Sequence, residues 1–307
     1  MVASEGAQPG GLAVRVTADA SSRRVRLDLA YDGAAFFGAQ VQSGRRTVGS
    51  ELSVALERVT GRAIPVTFAG RTDRGVHADG QVAHGDVASP LPDERLLKAL
   101  NAVLPTDLAI WRLQTVHGAF HARYDARWRE YRYQVWNAPV RHPVLARQVW
   151  HIVRSLDPVA LDAATARLLG EHDFAAFAGQ GLGVPGRVQV RSTVRAVHAV
   201  RWLVRTPAHP DSAGRVLEFR IRANGFLPQM VRTIVGAAIE VGSGKRTPEW
   251  FESVLRRRTR ALAPAPAPPQ GLSLWRSGYA GGDQPSAVGA ILADGQAGGT
   301  TDEQAES

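Results

Sequence analysis

The loop Gly70–Ala78, with the sequence GRTDRGVHA, concentrates side chains that could do chemistry. Asp73 stands between Arg71 and Arg74, and glycines flank the group. Neighbouring cations favour the ionised form of a carboxyl group, and glycines allow a bulky ligand to approach the backbone. Such an aspartate can act as a nucleophile or stabilise an oxocarbenium-like sugar. Taken alone, however, the loop is more typical of an aspartate that caps a turn and pairs with a neighbouring arginine.

The charge of the whole chain points to a polyanionic partner. The formal net charge is +9 and the isoelectric point is about 10.8. Nearly all of the positive charge is arginine, since Lys98 and Lys245 are the only lysines. The planar guanidinium matches phosphate and stacks on bases, so nucleic acid is a natural partner. A GC-rich genome would give the same arginine-rich composition whatever the function, so composition alone leaves both interpretations open.

Composition and histidine spacing exclude several kinds of site. The chain has no cysteine, which rules out disulfides and thiolate metal sites and fits a reducing cytoplasm. The sequence shows neither a signal-peptide core nor an apolar run long enough to span a membrane, so we expect a cytoplasmic protein. His77 and His84 have no adjacent ligand motif, and we expect no metal there. His77 is expected instead to brace the loop by hydrogen bonds.

The elements that must position this loop are strands interspersed with helices. Alternating apolar and charged residues predict strands at 24–29, 130–135 and 217–222, and helical spacing predicts helices at 52–61, 96–100 and 231–238. Asp157 and Pro158 predict the start of a helix that Gly170 closes, and Thr247 and Pro248 the start of the last one. A proline-rich stretch, 263–269, should be extended and lead to a final strand. The mixture favours an α+β fold with mostly antiparallel sheets flanked by helices.

Five segments of the chain resemble the motifs of one enzyme family, the tRNA pseudouridine synthase A family. The loop Gly70–Ala78 is similar to its G-R-T-D-x-G-V-H-A motif. The other matches are Y-D-G with Phe36, Gly38, Gln40 and Gln42; F-H-A-R at 120–123 followed by Y-R-Y at 131–133; N-G-F-L at 224–227 with M-V-R-x-I-V-G at 230–236; and G-L-x-L at 271–274 with Tyr279. The resemblance runs in order from about Val25 to Tyr279.

Three positions depart from the family pattern. Ala39 stands where the family usually has Trp, Gly49 where Gln is common, and Ser277 where valine is usual. None of them touches the aspartate motif. They therefore put local packing or RNA contacts in question, and not the reaction.

The resemblance implies an enzyme that converts uridine to pseudouridine at positions 38, 39 and 40 of the tRNA anticodon arm. It makes Asp73 the catalytic residue, Tyr131 the aromatic that packs against the target base, and Arg232 the arginine beside the aspartate. Arg71 becomes a candidate for phosphate contact or base displacement. The reaction oxidises nothing and imports no group, so no cofactor is expected. A homodimer is implied by the resemblance only.

The implied architecture is two similar α+β halves that form one sheet, with the active-site cleft between them. The expected division is a flexible leader at 1–22, an N-terminal half with the catalytic loop at 23–136, a C-terminal half at 137–279 and a disordered tail at 280–307.

Two alternatives come from other functional classes. A non-catalytic RNA-binding protein on the same fold would bind tRNA without turning it over. A carboxylate-dependent nucleoside hydrolase or glycosidase would need a second acid to protonate the leaving group, and the sequence shows no paired carboxylate near Asp73. The sequence also leaves open whether Asp73 attacks the sugar or the base.

Overall fold

A computed structural model describes residues 22–179, 192–205 and 214–280 of the 307-residue chain. Most of the expected leader and tail therefore lies outside the described residues. None of the described helices is long and apolar enough to cross a membrane.

One ten-stranded mixed sheet organises the described residues. Its main path runs β4-β1-β3-β10-β5-β9-β8-β7, while β2 pairs with β3 and β6 pairs with β5. The strands are β1 (Arg23–Tyr31), β2 (Thr67–Phe68), β3 (His77–Val87), β4 (Leu108–Thr115), β5 (Trp128–Asn137), β6 (Trp150–Ile152), β7 (Gly170–Asp173), β8 (Val194–Arg205), β9 (Arg215–Ala223) and β10 (Leu272–Gly278). Only the β10–β3 and β5–β6 pairs are parallel, so the sheet is mostly antiparallel as predicted.

Five α-helices are described: α1 (Val48–Thr60), α2 (Asp93–Val103), α3 (Pro158–Ala166), α4 (Met230–Gly242) and α5 (Pro248–Arg257). Thr47 caps α1 by accepting a hydrogen bond from Ser50 N at 3.0 Å, and Gly61 ends it with a φ of 73°. The side chains of Thr247 and Asp157 cap α5 and α3 in the same way, each ahead of a proline. The caps at Asp157 and Thr247 agree with the predicted helix starts, whereas the start of α1 at Thr47 was not predicted.

One predicted boundary is wrong. Gly170 does not close the helix that starts at Pro158, because α3 ends at Ala166 and Gly170 is the first residue of β7. Its φ of 94° is left-handed, a conformation that suits the residue before a strand as well as the residue after a helix. The glycine therefore correctly predicted a turn at this position, but it wrongly predicted that the helix ends there.

The main core lies on the helix-covered face of the sheet. Leu27 and Leu29 of β1, Tyr133 of β5 and Phe219 of β9 are fully buried there, in one cluster with Ile234 of α4. Because successive residues of a strand face opposite sides, the charged residues between them lie on the other face. Tyr131 therefore belongs to the helix side of the sheet.

Candidate active site

The loop that carries Asp73 is fixed by contacts with the segment after β1. Ala39 N donates to Thr72 O at 3.2 Å, and Gly75 N donates to Phe36 O at 3.2 Å. A Cβ on Gly38 would lie 2.6 Å from Thr72 O, and Gly38 has a φ of +96°. Only glycine fits that position, so the two segments approach each other through their backbones.

A buried network of hydrogen bonds connects the loop to β1 and β3. The hydroxyls of Tyr31 and Thr72 lie 2.8 Å apart, and Gln81 Nε2 donates to Tyr31 Oη at 3.3 Å and to Gly70 O at 2.9 Å. Burial raises the pKa of Tyr31 to about 12, so its phenol stays neutral at physiological pH. The network thus positions the loop without adding a charge beside Asp73.

The two histidines near the loop have structural contacts. His77 Nδ1 accepts a hydrogen bond from Gly33 N at 3.0 Å, which ties the end of the loop to the turn after β1. His84 Nδ1 accepts from Ala122 N at 3.1 Å. Within the described parts of the chain, no group of three or more His, Cys, Asp or Glu side chains could hold a metal ion.

Asp73 meets an arginine from the other half of the chain. Arg232 Nη1 lies 3.4 Å from Asp73 Oδ2, although 159 residues separate them. Arg232 sits in the first turn of α4, and its Nε donates to Ala267 O at 2.7 Å, which fixes the direction of the guanidinium. The Asp73 side chain remains 38% exposed. The carboxylate is thus both paired and accessible to a ligand.

Tyr131 lies near this ion pair. Its ring is buried and meets Phe226 edge to face, with ring centroids 5.0 Å apart. Its hydroxyl lies next to Gly70, at the start of the loop that carries Asp73. Burial first, and then the nearby Tyr31 and Asp73, raise the pKa of Tyr131, so its hydroxyl keeps its proton at neutral pH.

Arg71 and Arg74, which flank Asp73 in sequence, do not pair with it. Arg74 stacks on the Phe37 ring, with its guanidinium carbon 4.3 Å from the ring centroid. Arg71 is exposed, and burial of part of its surface and repulsion by Arg123 lower its pKa. The sequence interpretation in which Asp73 pairs with a neighbouring arginine is therefore wrong, because its partner is Arg232.

Sequence reasoning missed Arg129, which ties three segments of the site together. Its guanidinium donates to Ala69 O at 2.9 Å, to Asn224 O at 3.1 Å and to Arg123 O. A fourth acceptor is Ala126 O at 3.1 Å. Extending the alternation of Tyr131 and Tyr133 backwards by two residues places Arg129 on the same face, which is the signal that could have found it.

A cavity of about 370 Å³ lies beside the end of the loop Gly70–Ala78. His77 and Ala78 line it together with Arg132 and Gln134, which alternate in β5 with Tyr131 and Tyr133. Asp73 is not among its lining residues.

Two of the departures from the family pattern lie side by side. Gly49 N donates to Ala39 O at 2.9 Å, and a Cβ on Gly49 would lie 2.9 Å from the same oxygen. Ala39 is fully buried. The two small residues therefore fit each other, and Ala39 itself contacts the loop that carries Asp73 through Thr72 O.

Comparison with known proteins agrees with this geometry. A family model described as tRNA pseudouridine synthase matches residues 29–125 and 164–280. The chain is 42% identical over 259 residues to a tRNA pseudouridine synthase A of Geobacillus sp. (strain WCH70), covering 84% of this chain and 99% of the relative. It is 41% identical to that of Geobacillus kaustophilus, with 84% and 95% covered, and 38% identical to that of Coxiella burnetii (strain Dugway 5J108-111), with 83% and 93% covered.

Proposed function

This chain belongs to the tRNA pseudouridine synthase family and isomerises uridine in tRNA, and we propose that Asp73 is its essential carboxylate, acting on uridines 38, 39 and 40 of the anticodon arm. The proposal rests on one observation. Arg232 Nη1 lies 3.4 Å from Asp73 Oδ2, beside the buried Tyr131. A partly exposed carboxylate, a cation and an aromatic ring thereby lie close together.

The reaction defines what these groups must do. The bond between ribose C1′ and uracil N1 breaks, the base turns, and a bond forms between C1′ and C5 while the C5 proton passes to solvent and N1 gains a proton. The product is an isomer of the substrate, so no redox partner or imported group is required. Asp73 assists either by attacking or stabilising C1′ or by adding to the base, and both routes require the ionised carboxylate.

Arg232 and Tyr131 have complementary roles in this scheme. Arg232 pairs with Asp73 and holds it in one orientation. Tyr131 offers an aromatic face against which an extruded base can pack, as flipped bases do in enzymes that act on them. Because its hydroxyl stays protonated, it can also donate a hydrogen bond to the base.

Arg71 is assigned to the RNA backbone or to displacing the base from its stack. It is exposed, adjacent to the catalytic loop and without a carboxylate partner among the described residues. We further propose recognition of the anticodon arm by shape and phosphate contacts, an isologous homodimer and a cytoplasmic location. The division into halves at 23–136 and 137–279 places Asp73 and Tyr131 in the first half and Arg232 in the second.

Tritium release from tRNA labelled with ³H at uridine C5 tests the proposal. We expect wild-type protein to release tritium, and Asp73→Asn, which keeps the shape and loses the charge, to lose about 10⁴-fold or more in rate. Asp86→Asn is the matched control, because Asp86 is exposed and pairs with Arg24 on the surface. Equal release by wild type and Asp73→Asn would refute the role given to Asp73.

Product analysis separates the remaining alternatives. A nucleoside hydrolase would release free uracil, and a non-catalytic binding protein would bind tRNA without tritium release. The positions are tested with tRNAs that keep a single uridine at 38, 39 or 40. Pseudouridine found only outside these three positions would contradict the proposed specificity.

A further inference from the structure

The turn His121–Asp125, which includes the end of the F-H-A-R motif, presents an exposed aromatic ring in a fixed orientation. His121 N donates to Asp125 Oδ2 at 2.8 Å, and Asp125 N donates back to His121 O at 3.0 Å. His121 Nδ1 accepts from Tyr124 N at 3.1 Å. The Tyr124 ring stacks on the His121 imidazole, with centroids 4.2 Å apart and planes at 26°, yet Tyr124 is 76% exposed. The ring is thus packed against His121, and the Arg123 guanidinium carbon lies 5.9 Å from its centroid, while most of its surface remains exposed.

This turn is linked through Arg129 to the residue that precedes the catalytic loop. The Arg129 guanidinium donates both to Arg123 O and to Ala69 O, the residue before Gly70. On its other side, Tyr279 Oη donates to Ala122 O at 2.7 Å. The turn that carries the exposed ring is therefore held next to the start of the loop that carries Asp73.

Two exposed cations lie on these two segments, Arg123 on the turn and Arg71 on the loop. The two segments are held together by Arg129, which donates to both Arg123 O and Ala69 O. In agreement with this link, burial first and then repulsion by Arg123 lower the pKa of Arg71. Within residues 22–179, 192–205 and 214–280, neither forms an ion pair with a carboxylate. Two neighbouring cations without an acid between them are unfavourable in the free protein and favourable around a phosphate.

We propose that the turn His121–Asp125 is a subsite for an unpaired nucleotide next to the target uridine. The Tyr124 ring stacks on its base, and Arg123 together with Arg71 binds its phosphate. Aromatic stacking tolerates any base, so the subsite holds RNA of varied sequence in register with Asp73. The inference rests on the proposed function, because the nucleotide it holds is the neighbour of the one that is isomerised.

The experiment measures the Kd of an anticodon stem-loop RNA with variants made in the Asp73→Asn background. Loss of a stacked base typically weakens binding by roughly 5- to 150-fold, so we expect Tyr124→Ala to raise Kd about tenfold or more. Tyr124→Phe and Tyr124→Trp keep an aromatic face and should bind within about twofold of the parent. The matched control is Trp111→Ala, which removes another exposed aromatic, 64% exposed on edge strand β4.

The phosphate contact is tested by salt dependence. Arg123→Met should reduce the slope of log Kd against log salt concentration by about one, the value for one lost phosphate contact. An unchanged Kd for Tyr124→Ala, or an equal loss for Trp111→Ala, would overturn the subsite. An unchanged slope for Arg123→Met would overturn its phosphate contact. These outcomes concern binding only, whereas tritium release by Asp73→Asn decides the proposed function separately.

Discussion

The arginines beside Asp73 and those on the opposite face of the sheet are compensated in different ways. On the opposite face, Arg222 Nη2 lies 2.7 Å from Glu130 Oε2, and Arg220 donates to Glu218. All four of these side chains are buried. Beside the active site, Arg129 is bound by carbonyl oxygens alone among the described residues.

The difference separates charges that stabilise the protein from charges that await a ligand. A buried guanidinium with its own carboxylate is neutralised within the fold, and removing one partner leaves the other uncompensated. Arg71, Arg123 and Arg129 form no ion pair with a carboxylate among the described residues, and in the proposed complex RNA supplies the anion. Arg232 combines both situations, since it pairs with the carboxylate that we propose acts on the substrate. Variants of the two groups should therefore differ in what they damage.

The largest expected effect on stability comes from Glu130→Leu. This change leaves the buried Arg222 without its carboxylate, and breaking such a pair typically costs about 3–5 kcal/mol. We expect a lower free energy of unfolding in urea and a lower Tm, with kcat of the folded fraction near that of wild type. A kcat loss at unchanged stability would break the proposed distinction between the two faces.

Arg232→Met should instead lower kcat strongly and the free energy of unfolding less. It removes the cation beside Asp73 and should lower kcat about 10²- to 10³-fold, the range for loss of one fixed electrostatic partner in an active site. The free energy of unfolding should fall by less than in Glu130→Leu, by about 1.5–3 kcal/mol, because the charge-assisted hydrogen bond to Ala267 O is also lost. Arg232→Lys keeps the charge and should recover part of kcat. A kcat unchanged in Arg232→Met would remove Arg232 from the site.

Arg129→Met tests whether the carbonyl-bound arginine positions the site. The change leaves the Ala69, Arg123 and Asn224 carbonyls without this donor, so we expect kcat to fall about tenfold with a smaller change in KM. Arg127→Met is the control, because Arg127 is exposed and only two residues away. Arg129→Lys should not restore kcat fully, since an ammonium lacks the planar fork. A parallel loss in Arg127→Met would contradict a specific role for Arg129.

Much of the fold could be predicted from local sequence patterns. The candidate site could not, because it depends on contacts between residues far apart in the sequence. The alternation in β1 and β9 and the caps at Asp157 and Thr247 are local signals that agree with the structure. Strand β3 was not predicted, because it is largely buried and its two glycines obscure any alternation. The partner of Asp73 could not be derived from spacing, since Arg232 is 159 residues away and only the family resemblance identified it.

The smallest expected effect on stability comes from a partly exposed ion pair, Arg46 and Asp107. Its stability contribution can be compared with that of the buried pair formed by Glu130. Arg46 Nη1 lies 2.7 Å from Asp107 Oδ2, and its hydrogen bond holds the pKa of Asp107 below the ordinary value. A lowered folded-state pKa contributes stability above the unfolded value, near pH 4, that is lost as pH falls through the folded pKa. Because solvent screens the pair, we expect Asp107→Asn to cost about 1 kcal/mol at pH 7 in urea unfolding. The difference from wild type should shrink below about pH 4 and in about 1 M salt. A cost at pH 7 equal to that of Glu130→Leu would mean that burial does not set the strength of these pairs.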